Sequence, residues 1–417
     1  LRSRPAVQLR GARASALEPD QPQGQGQCPA GGGIAPALMV FPPLGLYIHL
    51  PRCERKCPYC DFNSHEALEI PENDYIDALL RDLEADLALA GVRPADTLFI
   101  GGGTPSLFSA GAIERLLREI RRLLPLSPDF EATMEANPGS AEAQKFAAFR
   151  EAGINRLSLG VQSFEDAQLQ ALGRVHDSRQ AHAALGFARA AGFASFNIDL
   201  MHGLPGQTEA SALDDLHAAL GHKPTHLSWY QLTIEPNTVF YKRPPVLPLD
   251  DELADIQAAG EQLLTAAGYR QYEVSAWCLP GYECRHNRNY WEFGDYLGIG
   301  AGAHGKLTAP DGAVTRYAKR RQPLDYMASD DHGFTKDSRV LNRGDLVGEF
   351  MLNALRLNDG FQLGLFAART GLEPTALEPQ LGQLCEQGLL MRQERGVSAT
   401  TRGRRFLDSV VAEFLPD

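Results

Sequence analysis

An alternation of apolar strand-like segments with amphipathic helical segments, between about residues 44 and 236, constrains the fold of this 417-residue chain most strongly. Between Ile113 and Leu124, for example, apolar residues recur at three- and four-residue steps until Pro125 ends the helix. Strands that alternate with helices form a parallel sheet with the helices outside it. The pattern therefore predicts an α/β fold, either a barrel or an open doubly wound sheet. The six predicted strands are Leu44–Leu50, Thr97–Ile100, Phe130–Glu135, Asn155–Gly160, Phe196–Leu200 and Leu227–Ile234.

We place the core formed by these strands and helices at residues 41–240. The sequence predicts three further regions outside it. Residues 1–40 have no hydrophobic period and are rich in Gly, Gln, Pro and Ala, so we expect a disordered extension, and we favour Met39 as the natural start over a transit peptide. Residues 241–335 form a less regular core extension, with a helix over Asp251–Ala267 and a strand over Gln271–Trp277. Residues 336–417 resemble a winged helix, with helices Asp345–Leu355, Gln362–Thr370 and Ala376–Gly388 before a β-like end over Leu389–Thr400.

Three cysteines, Cys53, Cys57 and Cys60, follow the first predicted strand at the spacing C-x3-C-x2-C. Three thiolates within eight residues form a soft-ligand cluster, which suits zinc or iron–sulfur chemistry. A structural zinc site needs four ligands, usually as two separated pairs, and no second pair follows nearby. A three-thiolate site leaves one metal position open, which indicates chemistry at the metal more than a structural role.

Composition argues against several classes of function. The formal net charge of −12 disfavours a general nucleic-acid binder, whose affinity depends on Lys and Arg. No apolar run approaches the roughly 20 residues that cross a bilayer. Seven cysteines, three of them in one motif, are typical of a reducing compartment with a metal site. We therefore expect a cytoplasmic protein without an integral membrane segment or a nucleic-acid partner, while peripheral membrane contact stays open.

Polar residues follow the ends of the predicted strands, where barrels of this type carry their active sites. A Gly101-Gly102-Gly103 turn follows the second strand, and glycines allow backbone groups to approach a ligand closely. Each such residue alone is more often structural than functional, but their common position beside the cysteines predicts a ligand site. The candidates are Gly102, Gly103, Thr104, Glu135, Gln162, Arg174 and Asp199.

The cysteine spacing resembles the signature of the radical S-adenosylmethionine (radical SAM) enzymes. In that superfamily the three cysteines hold three irons of a 4Fe–4S cluster, and SAM binds the fourth. The resemblance implies a partial (β/α)6 TIM-type barrel, which agrees with the six predicted strands. It also implies a SAM site built from Tyr47, Tyr59, Gly102, Gly103, Thr104, Glu135, Gln162, Arg174 and Asp199.

Several motifs together resemble the HemW family, heme chaperones long described as similar to oxygen-independent coproporphyrinogen oxidases. The motifs include Y-I-H-x-P-x-C-x3-C-x-Y-C-D-F, G-G-G-T-P-S, E-A-N-P, L-S-L-G-V-Q-S-F and H-N-x-x-Y-W. True coproporphyrinogen dehydrogenases carry a fourth cysteine two residues after the third, where this chain has Phe62. That difference argues against porphyrinogen decarboxylation.

The family resemblance implies that the chain binds one heme and transfers it to heme-acceptor proteins, among which we include those of the respiratory chain. We expect the heme ligand in the H-N-x-x-Y-W segment, at His286, because imidazole is a common axial ligand of heme iron. Tyr290 and Trp291 of the same segment could pack on the macrocycle. His49 and His304 are weaker candidates.

Two other functions stay open from the sequence alone. A radical SAM enzyme, such as an oxygen-independent coproporphyrinogen III dehydrogenase, would cleave SAM reductively to a 5′-deoxyadenosyl radical and abstract hydrogen from its substrate. A nucleic-acid-modifying protein would be guided by the winged-helix-like region. The third helix of that region carries Glu378 and Glu386 and no Lys or Arg, which counts against this last function.

Overall fold

The predicted alternation of strands and helices is confirmed in the structure, a computed structural model that describes residues 41–66, 71–91, 93–139, 143–330 and 333–416. The extension predicted over residues 1–40, with Met39, lies outside the described residues. The described strands are β1 (Leu44–Leu50), β2 (Arg52–Cys53), β3 (His65–Glu66), β4 (Ala95–Gly102), β5 (Leu126–Ala136), β6 (Arg156–Gln162), β7 (Ser195–His202), β8 (His226–Gln231), β9 (Arg270–Gln271), β10 (Ala276–Cys278), β11 (Asp295–Ile299), β12 (His304–Thr308), β13 (Val314–Lys319), β14 (Thr335–Val340), β15 (Phe361–Gln362), β16 (Leu390–Arg392) and β17 (Gly396–Ala399).

Helices connect most of these strands. The described α-helices are Glu72–Ala90, Ala110–Leu123, Phe146–Ala152, Asp166–Ala171, Ser178–Ala190, Glu209–Gly221, Val239–Lys242, Asp250–Ala266, Arg285–Trp291, Pro323–Met327, Arg343–Ala354, Leu363–Thr370, Gln380–Glu386, Thr401–Arg405 and Leu407–Ala412. Two short 3-10 helices cover Pro105–Leu107 and Pro374–Leu377.

Six parallel strands form the centre of a twelve-stranded sheet with the order β14-β13-β12-β11-β1-β4-β5-β6-β7-β8-β10-β9. The strands β1 and β4 to β8 lie side by side in chain order, each parallel to the next. β11 adds a parallel neighbour on the other side of β1, and antiparallel strands extend both edges. The fold is therefore the predicted α/β architecture with a partial (β/α)6 barrel.

Burial explains why the central strands are nearly continuous apolar runs. Strands of a parallel sheet are covered on both faces, so neither face needs polar residues. In β1, Leu46, Ile48 and Leu50 are fully buried. The helix Ala110–Leu123 covers one face with Ile113 and its apolar neighbours along the same stripe. The polar side chains of the predicted ligand site therefore lie towards the carboxyl ends of the strands.

Of the predicted strands, only Leu44–Leu50 has the observed bounds, and two of the others differ for a local reason. The strand predicted over Leu227–Ile234 ends at Gln231, because the chain then turns towards the loop that carries the cysteines. The strand predicted over Gln271–Trp277 is broken into β9 and β10. The break occurs because the buried Glu273 accepts hydrogen bonds from the backbone and side chain of Ser275, at 3.1 and 3.2 Å, in place of continuing the ladder.

The C-terminal region contains the three predicted helices and a β end, but β15 between the first two helices and the two helices after β17 were not predicted. Its helices are Arg343–Ala354, Leu363–Thr370 and Gln380–Glu386, and its sheet has the strand order β15-β17-β16. The third helix starts later than predicted because Pro379, which lacks an N–H, separates it from the turn Pro374–Leu377. This region has its own apolar core, although Phe293 and Val314 contribute to it. From Phe41 onward the chain packs as one unit, and the domain boundaries near residues 240 and 335 stay predictions.

Candidate functional site

The carboxyl ends of the parallel strands open into a first cavity, and the three cysteines lie on a loop at its side. The loop leaves from β2 and returns at β3, which pair in parallel and so close its base. The amide of Cys60 donates to the carbonyl of Cys57 at 3.1 Å, which forms a tight turn between the second and third cysteines. Cys53 is buried, Cys57 and Cys60 are partly exposed, and all three line the cavity.

Each of the three sulfur atoms faces a polar side chain. The contacts are Thr104 Oγ1 to Cys53 Sγ at 3.9 Å, Arg174 Nη1 to Cys57 Sγ at 3.6 Å, and Ser64 Oγ to Cys60 Sγ at 3.8 Å. Donors that face a sulfur stabilise its thiolate, which is the form that binds metals. Burial nevertheless raises the pKa of Cys53 and Cys60, so the donors offset only part of the cost of forming those thiolates. Three thiols on the wall of one cavity still fit a metal centre held by soft ligands.

The cysteine spacing suggested either a single zinc ion or an iron–sulfur cluster. Among the residues that the structure describes, no group of three or more His, Cys, Asp or Glu side chains could hold one metal ion. A 4Fe–4S cluster takes one thiolate at each iron, so its ligands stand farther apart than those around a lone zinc ion. Zinc and iron–sulfur therefore both stay predictions from the cysteine spacing at this point.

The glycine turn after β4 packs against the chain that leads into the cysteine loop. The Thr104 N–H donates to the Arg52 carbonyl at 2.6 Å. A Cβ on Gly103 would lie 2.3 Å from that carbonyl oxygen, and a Cβ on Gly102, whose φ is +119°, would lie 2.7 Å from the His49 ring. Neither position has room for a side chain. The glycines were expected to let the backbone approach a ligand closely. In the structure, Gly103 closely approaches the backbone of Arg52, which precedes Cys53.

The guanidinium of Arg174 joins several walls of the first cavity. Its Nη2 donates to Asn137 Oδ1 at 2.6 Å and to the Gly160 carbonyl at 2.7 Å, while its Nη1 reaches the Cys57 sulfur. Asn137 Nδ2 in turn donates to the Thr104 hydroxyl at 3.0 Å. The Arg174 Nε is buried and has no hydrogen-bond partner among the described residues. A ligand that brings an acceptor to this N–H would offset the cost of burying it.

Two carboxyl groups, those of Glu135 and Asp199, also line the first cavity. Burial and the nearby Asp199 raise the pKa of Glu135 to about 8, although the Gly102 N–H donates to its Oε2 at 3.2 Å. Burial also raises the pKa of Asp199, whose oxygens accept from Ser158 Oγ at 3.2 Å and Asn197 Nδ2 at 2.7 Å. A protonated Glu135 can donate a hydrogen bond to a ligand as well as accept one.

Aromatic side chains support two further predicted residues of the first cavity, Gln162 and Tyr59. Gln162, at the end of β6, has a φ of 73°, and its Oε1 accepts from the Tyr230 hydroxyl at 2.8 Å. Tyr59, between two of the cysteines, packs on Phe240 with ring centroids 6.3 Å apart. The Phe240 N–H also donates to the Pro58 carbonyl at 2.9 Å, so the short helix that carries Phe240 supports the cysteine loop.

A second cavity, of about 760 Å³, adjoins the first, and Phe62, Gly102 and Glu135 line both. Its volume lies within the range of about 300–1,000 Å³ that is typical of small-molecule and cofactor pockets. Its aromatic lining residues are Tyr47, Phe62, Tyr290, Trp291, Phe293 and Tyr296. Its Lys and Arg lining residues are Lys306, Arg316, Lys319, Arg321 and Lys336. The second cavity is therefore both aromatic and basic.

Eight of the nine residues predicted to contact SAM line the first cavity, and Tyr47 is the exception. Tyr47 lines the second cavity, where its hydroxyl lies 2.9 Å from His49 Nδ1 and its ring stacks on Phe99. The roles assigned to all nine residues stay predictions.

The structure also argues against His286 as a heme ligand. His286 is fully buried, with Nδ1 2.8 Å from the Thr97 hydroxyl and Nε2 2.7 Å from the Tyr290 hydroxyl. Its side chain lies beside Gly45 and Thr97, near the amino ends of β1 and β4, which is the end of the barrel opposite to the cysteines. Burial, and then Arg156, lower the pKa of His286 to about 3. His286 therefore braces the base of the barrel, whereas Tyr290 and Trp291 of the same segment reach the second cavity.

Sequence reasoning missed Asn63, which connects the cysteine loop to the second cavity. Its Nδ2 donates to the carbonyls of Ala301 and Arg321, each at 2.9 Å, and its own carbonyl lies 2.9 Å from His49 Nε2. Asn63 directly follows the C-D-F end of the cysteine motif, and a polar residue in that place was the available signal. Asn137 gave a similar signal within E-A-N-P but was assigned no role.

A partial (β/α)6 barrel with a three-cysteine loop and a ligand cavity at the carboxyl ends of its strands defines a radical SAM protein. The family model of the radical SAM superfamily matches residues 47–219, and that of the HemN C-terminal domain matches residues 341–406. The solved structure of coproporphyrinogen III oxidase (HemN) from Escherichia coli superposes with a TM-score of 0.75 at 26% identity, covering 90% of each chain.

Curated relatives narrow the class to one family. The heme chaperone HemW of Escherichia coli is 50% identical over 381 residues, which cover 91% of this chain and 100% of the relative. The heme chaperone HemW of Haemophilus influenzae is 48% identical over 382 residues, which cover 90% of this chain and 99% of the relative. The chain belongs to the HemW family of heme chaperones, which confirms the resemblance seen in its motifs.

Proposed function

We propose that this protein is a heme chaperone that holds a 4Fe–4S cluster with exchangeable SAM in the first cavity and carries one heme in the second. The observation that carries the proposal is the shared wall of the two cavities. The cavity beside the cysteines fits a cluster and its ligand, while the neighbouring cavity is aromatic, basic and large enough for a cofactor. Heme would then be passed to acceptor proteins.

In the first cavity the cluster would be held by Cys53, Cys57 and Cys60. When bound, SAM would occupy the iron that no cysteine holds. It would either stay intact as a bound cofactor or be cleaved reductively. The chain itself contributes positioning and charge. The buried Arg174 Nε offers a donor for the carboxylate of SAM, and Glu135 offers a carboxyl for its ribose hydroxyls.

The second cavity suits the chemistry of heme. A heme is a flat apolar macrocycle with two propionates, so aromatic side chains can pack on its faces and cations can pair with its carboxylates. Tyr290 and Trp291 supply the aromatic surface that we expected from the H-N-x-x-Y-W segment. Phe62 is 64% exposed at the boundary of the two cavities, where a ligand in either one would meet it.

Oxidation of coproporphyrinogen III is the second candidate function, because the Escherichia coli HemN structure shares the fold over 90% of each chain. A porphyrinogen carries more carboxylates than heme and would occupy a basic cavity of the same kind. Phe62 argues against this activity, since it stands where true dehydrogenases carry a fourth cysteine. Heme transfer therefore stays the main proposal.

We propose that the protein acts in the cytoplasm, because cysteines that hold an iron–sulfur cluster must be kept as thiolates in a reducing compartment. None of the described helices combines the length and apolar character that a bilayer span requires. We propose respiratory-chain proteins as the first heme acceptors to test. We also propose that the protein contacts the membrane surface peripherally when it transfers heme to them. We propose no nucleic-acid partner.

Anaerobic reconstitution of the full chain with iron, sulfide and SAM, followed by titration with heme, tests this function. We expect the cluster spectrum and one bound heme per chain in the same sample. A reconstituted protein that binds no heme would contradict the proposal.

A further inference from the structure

Two imidazoles line the second cavity, those of His49 and His304, but only one is available to a ligand. His49 is 6% exposed, and both of its ring nitrogens are engaged, Nδ1 with the Tyr47 hydroxyl and Nε2 with the Asn63 carbonyl. His304 is exposed at the start of β12, and no hydrogen bond to a described residue occupies its ring. Heme iron requires a nitrogen with an available lone pair, which His304 offers.

The backbone of His304 is held in place by strand pairing. β12 pairs with β13 in a register that places His304 opposite Ala318. A Cβ on Gly298 of β11 would lie 1.8 Å from the His304 carbonyl oxygen, so the two strands pack closely here. In the preceding loop the Ala301 N–H donates to the buried Tyr75 hydroxyl at 2.9 Å. A ligand residue on such a support is presented to a metal at a defined place.

Arg316 and Arg321 lie close enough to His304 to affect its ring. Partial coverage of the His304 ring by the surrounding protein is the larger cause of its lowered pKa, and these two guanidinium groups lower the pKa further. A neutral imidazole is the form that binds iron. The same cations would face any ligand that reaches His304.

Three of the five Lys and Arg side chains of the second cavity already pair with carboxylates. The pairs are Lys306 with Asp295 at 2.9 Å, Lys319 with Asp82 at 2.6 Å, and Arg316 with Glu349 at 2.6 Å. Arg321 and Lys336 are exposed, and neither pairs with a carboxylate of the described residues, although Asp337 lies beside Lys336 on the same lining. Two cations without carboxylate partners match a ligand with two carboxylates.

We propose that His304 is the axial ligand of the heme iron in the second cavity and that Arg321 and Lys336 pair with the two heme propionates. This assignment rests on the proposed heme-carrying function and replaces His286 as the ligand. It places the iron beside β12 and the macrocycle against the aromatic side chains of the same cavity. Heme is thus held on the side of the molecule that Asn63 connects to the cysteine loop.

Spectroscopy of heme bound to the full reconstituted chain tests the ligand. The variants are His304→Ala and, as a matched control, His217→Ala, since His217 is exposed on the helix Glu209–Gly221 and lines neither cavity. We expect His304→Ala to lose the absorption and electron paramagnetic resonance signature of an imidazole-ligated heme. Added imidazole should restore it, while His217→Ala should match the wild type. Cluster content and circular dichroism show that each variant is folded.

The propionate partners are tested with the double variant Arg321→Gln/Lys336→Gln. Because exposed ion pairs are weak, we expect heme affinity to fall by about twofold to tenfold. The dimethyl ester of heme, which lacks both carboxylates, should bind the variant and the wild type equally. An equal loss of affinity for heme and its ester would overturn this part of the assignment.

The outcomes separate the ligand assignment from the function. A wild-type chain that binds no heme contradicts the heme-carrying function itself. If the wild type binds heme and His304→Ala shows an unchanged spectrum, only the ligand assignment is wrong. The assignment also fails if the altered spectrum of a folded, cluster-loaded His304→Ala does not recover in imidazole.

Discussion

The side-chain amide of Asn63 donates to the Ala301 carbonyl at 2.9 Å and so joins the cysteine loop to the loop that precedes His304. The same amide reaches the Arg321 carbonyl at 2.9 Å. One side chain therefore links the residues beside the proposed cluster to the residues beside the proposed heme. Loss of these hydrogen bonds should therefore weaken both the cysteine loop and the loop that precedes His304.

We expect Asn63→Ala to destabilise the cysteine loop, because it removes both hydrogen bonds and leaves two carbonyls with fewer partners. The cost should be about 1–3 kcal/mol in the free energy of unfolding, measured by urea titration of the apoprotein. Cluster retention after gel filtration should fall as well. Asn73→Ala is the control: it removes one exposed hydrogen bond, from Arg115 at 3.4 Å, and should leave cluster retention unchanged. Equal cluster retention in the two variants would contradict this link.

Gly103→Ala should disturb the cysteine loop through sterics alone, because its Cβ would lie 2.3 Å from the Arg52 carbonyl oxygen. We expect a loss of about 1–3 kcal/mol in the free energy of unfolding, together with reduced iron content after reconstitution. Gly111→Ala is the matched control, since a Cβ there meets nothing within 4 Å and lies in a helix. That control should be neutral or more stable by up to about 1 kcal/mol. A Gly103→Ala protein with wild-type stability and iron content would show that the close contact is not needed.

Replacement of any one cluster cysteine should abolish the cluster. Cys57→Ser removes a thiolate that Arg174 faces at 3.6 Å, and we expect the iron–sulfur absorption and most bound iron to be lost. Cys385→Ser, in the C-terminal region, should reconstitute like the wild type. Iron and sulfide analysis checks both variants. A Cys57→Ser protein with a full complement of four irons would contradict the assignment of the cysteines.

The raised pKa of Glu135 predicts a pH-dependent stability. The folded apoprotein keeps this proton up to about pH 8, whereas the unfolded chain releases it near pH 4.3. Between these values the folded state binds more protons, so this group lowers the free energy of unfolding as the pH rises through that window. Glu135→Gln should therefore gain stability relative to the wild type between about pH 6 and about pH 9, as measured by urea titration at both pH values. A stability difference that stays constant or shrinks over that interval would contradict the prediction.

The strands and the first cavity could be predicted because local patterns determine them. Apolar runs mark buried parallel strands, and the carboxyl ends of such strands meet at one edge, so Glu135, Gln162 and Asp199 were expected to come together. The C-x3-C-x2-C spacing likewise identified the loop of Cys53. These features depend on neighbours along the chain and on one general rule of barrel topology.

The positions of Tyr47 and His286 could not be predicted because they depend on contacts between distant segments. Tyr47 lies before the end of β1, and the pairing of β1 with β11 leaves its side chain on the wall of the second cavity. His286 is placed by Thr97 in β4, far away along the chain, and its helix runs from the base of the barrel towards the second cavity. The sequence could name these residues as candidates, but only the packing of the segments decides which cavity each one meets.

The most direct test of the account is one anaerobic sample of the reconstituted full chain, titrated with heme and incubated separately with coproporphyrinogen III. We expect one heme to bind per chain in the presence of the cluster and SAM, and coproporphyrinogen III to be left unconverted. Absence of heme binding together with conversion of coproporphyrinogen III would contradict it.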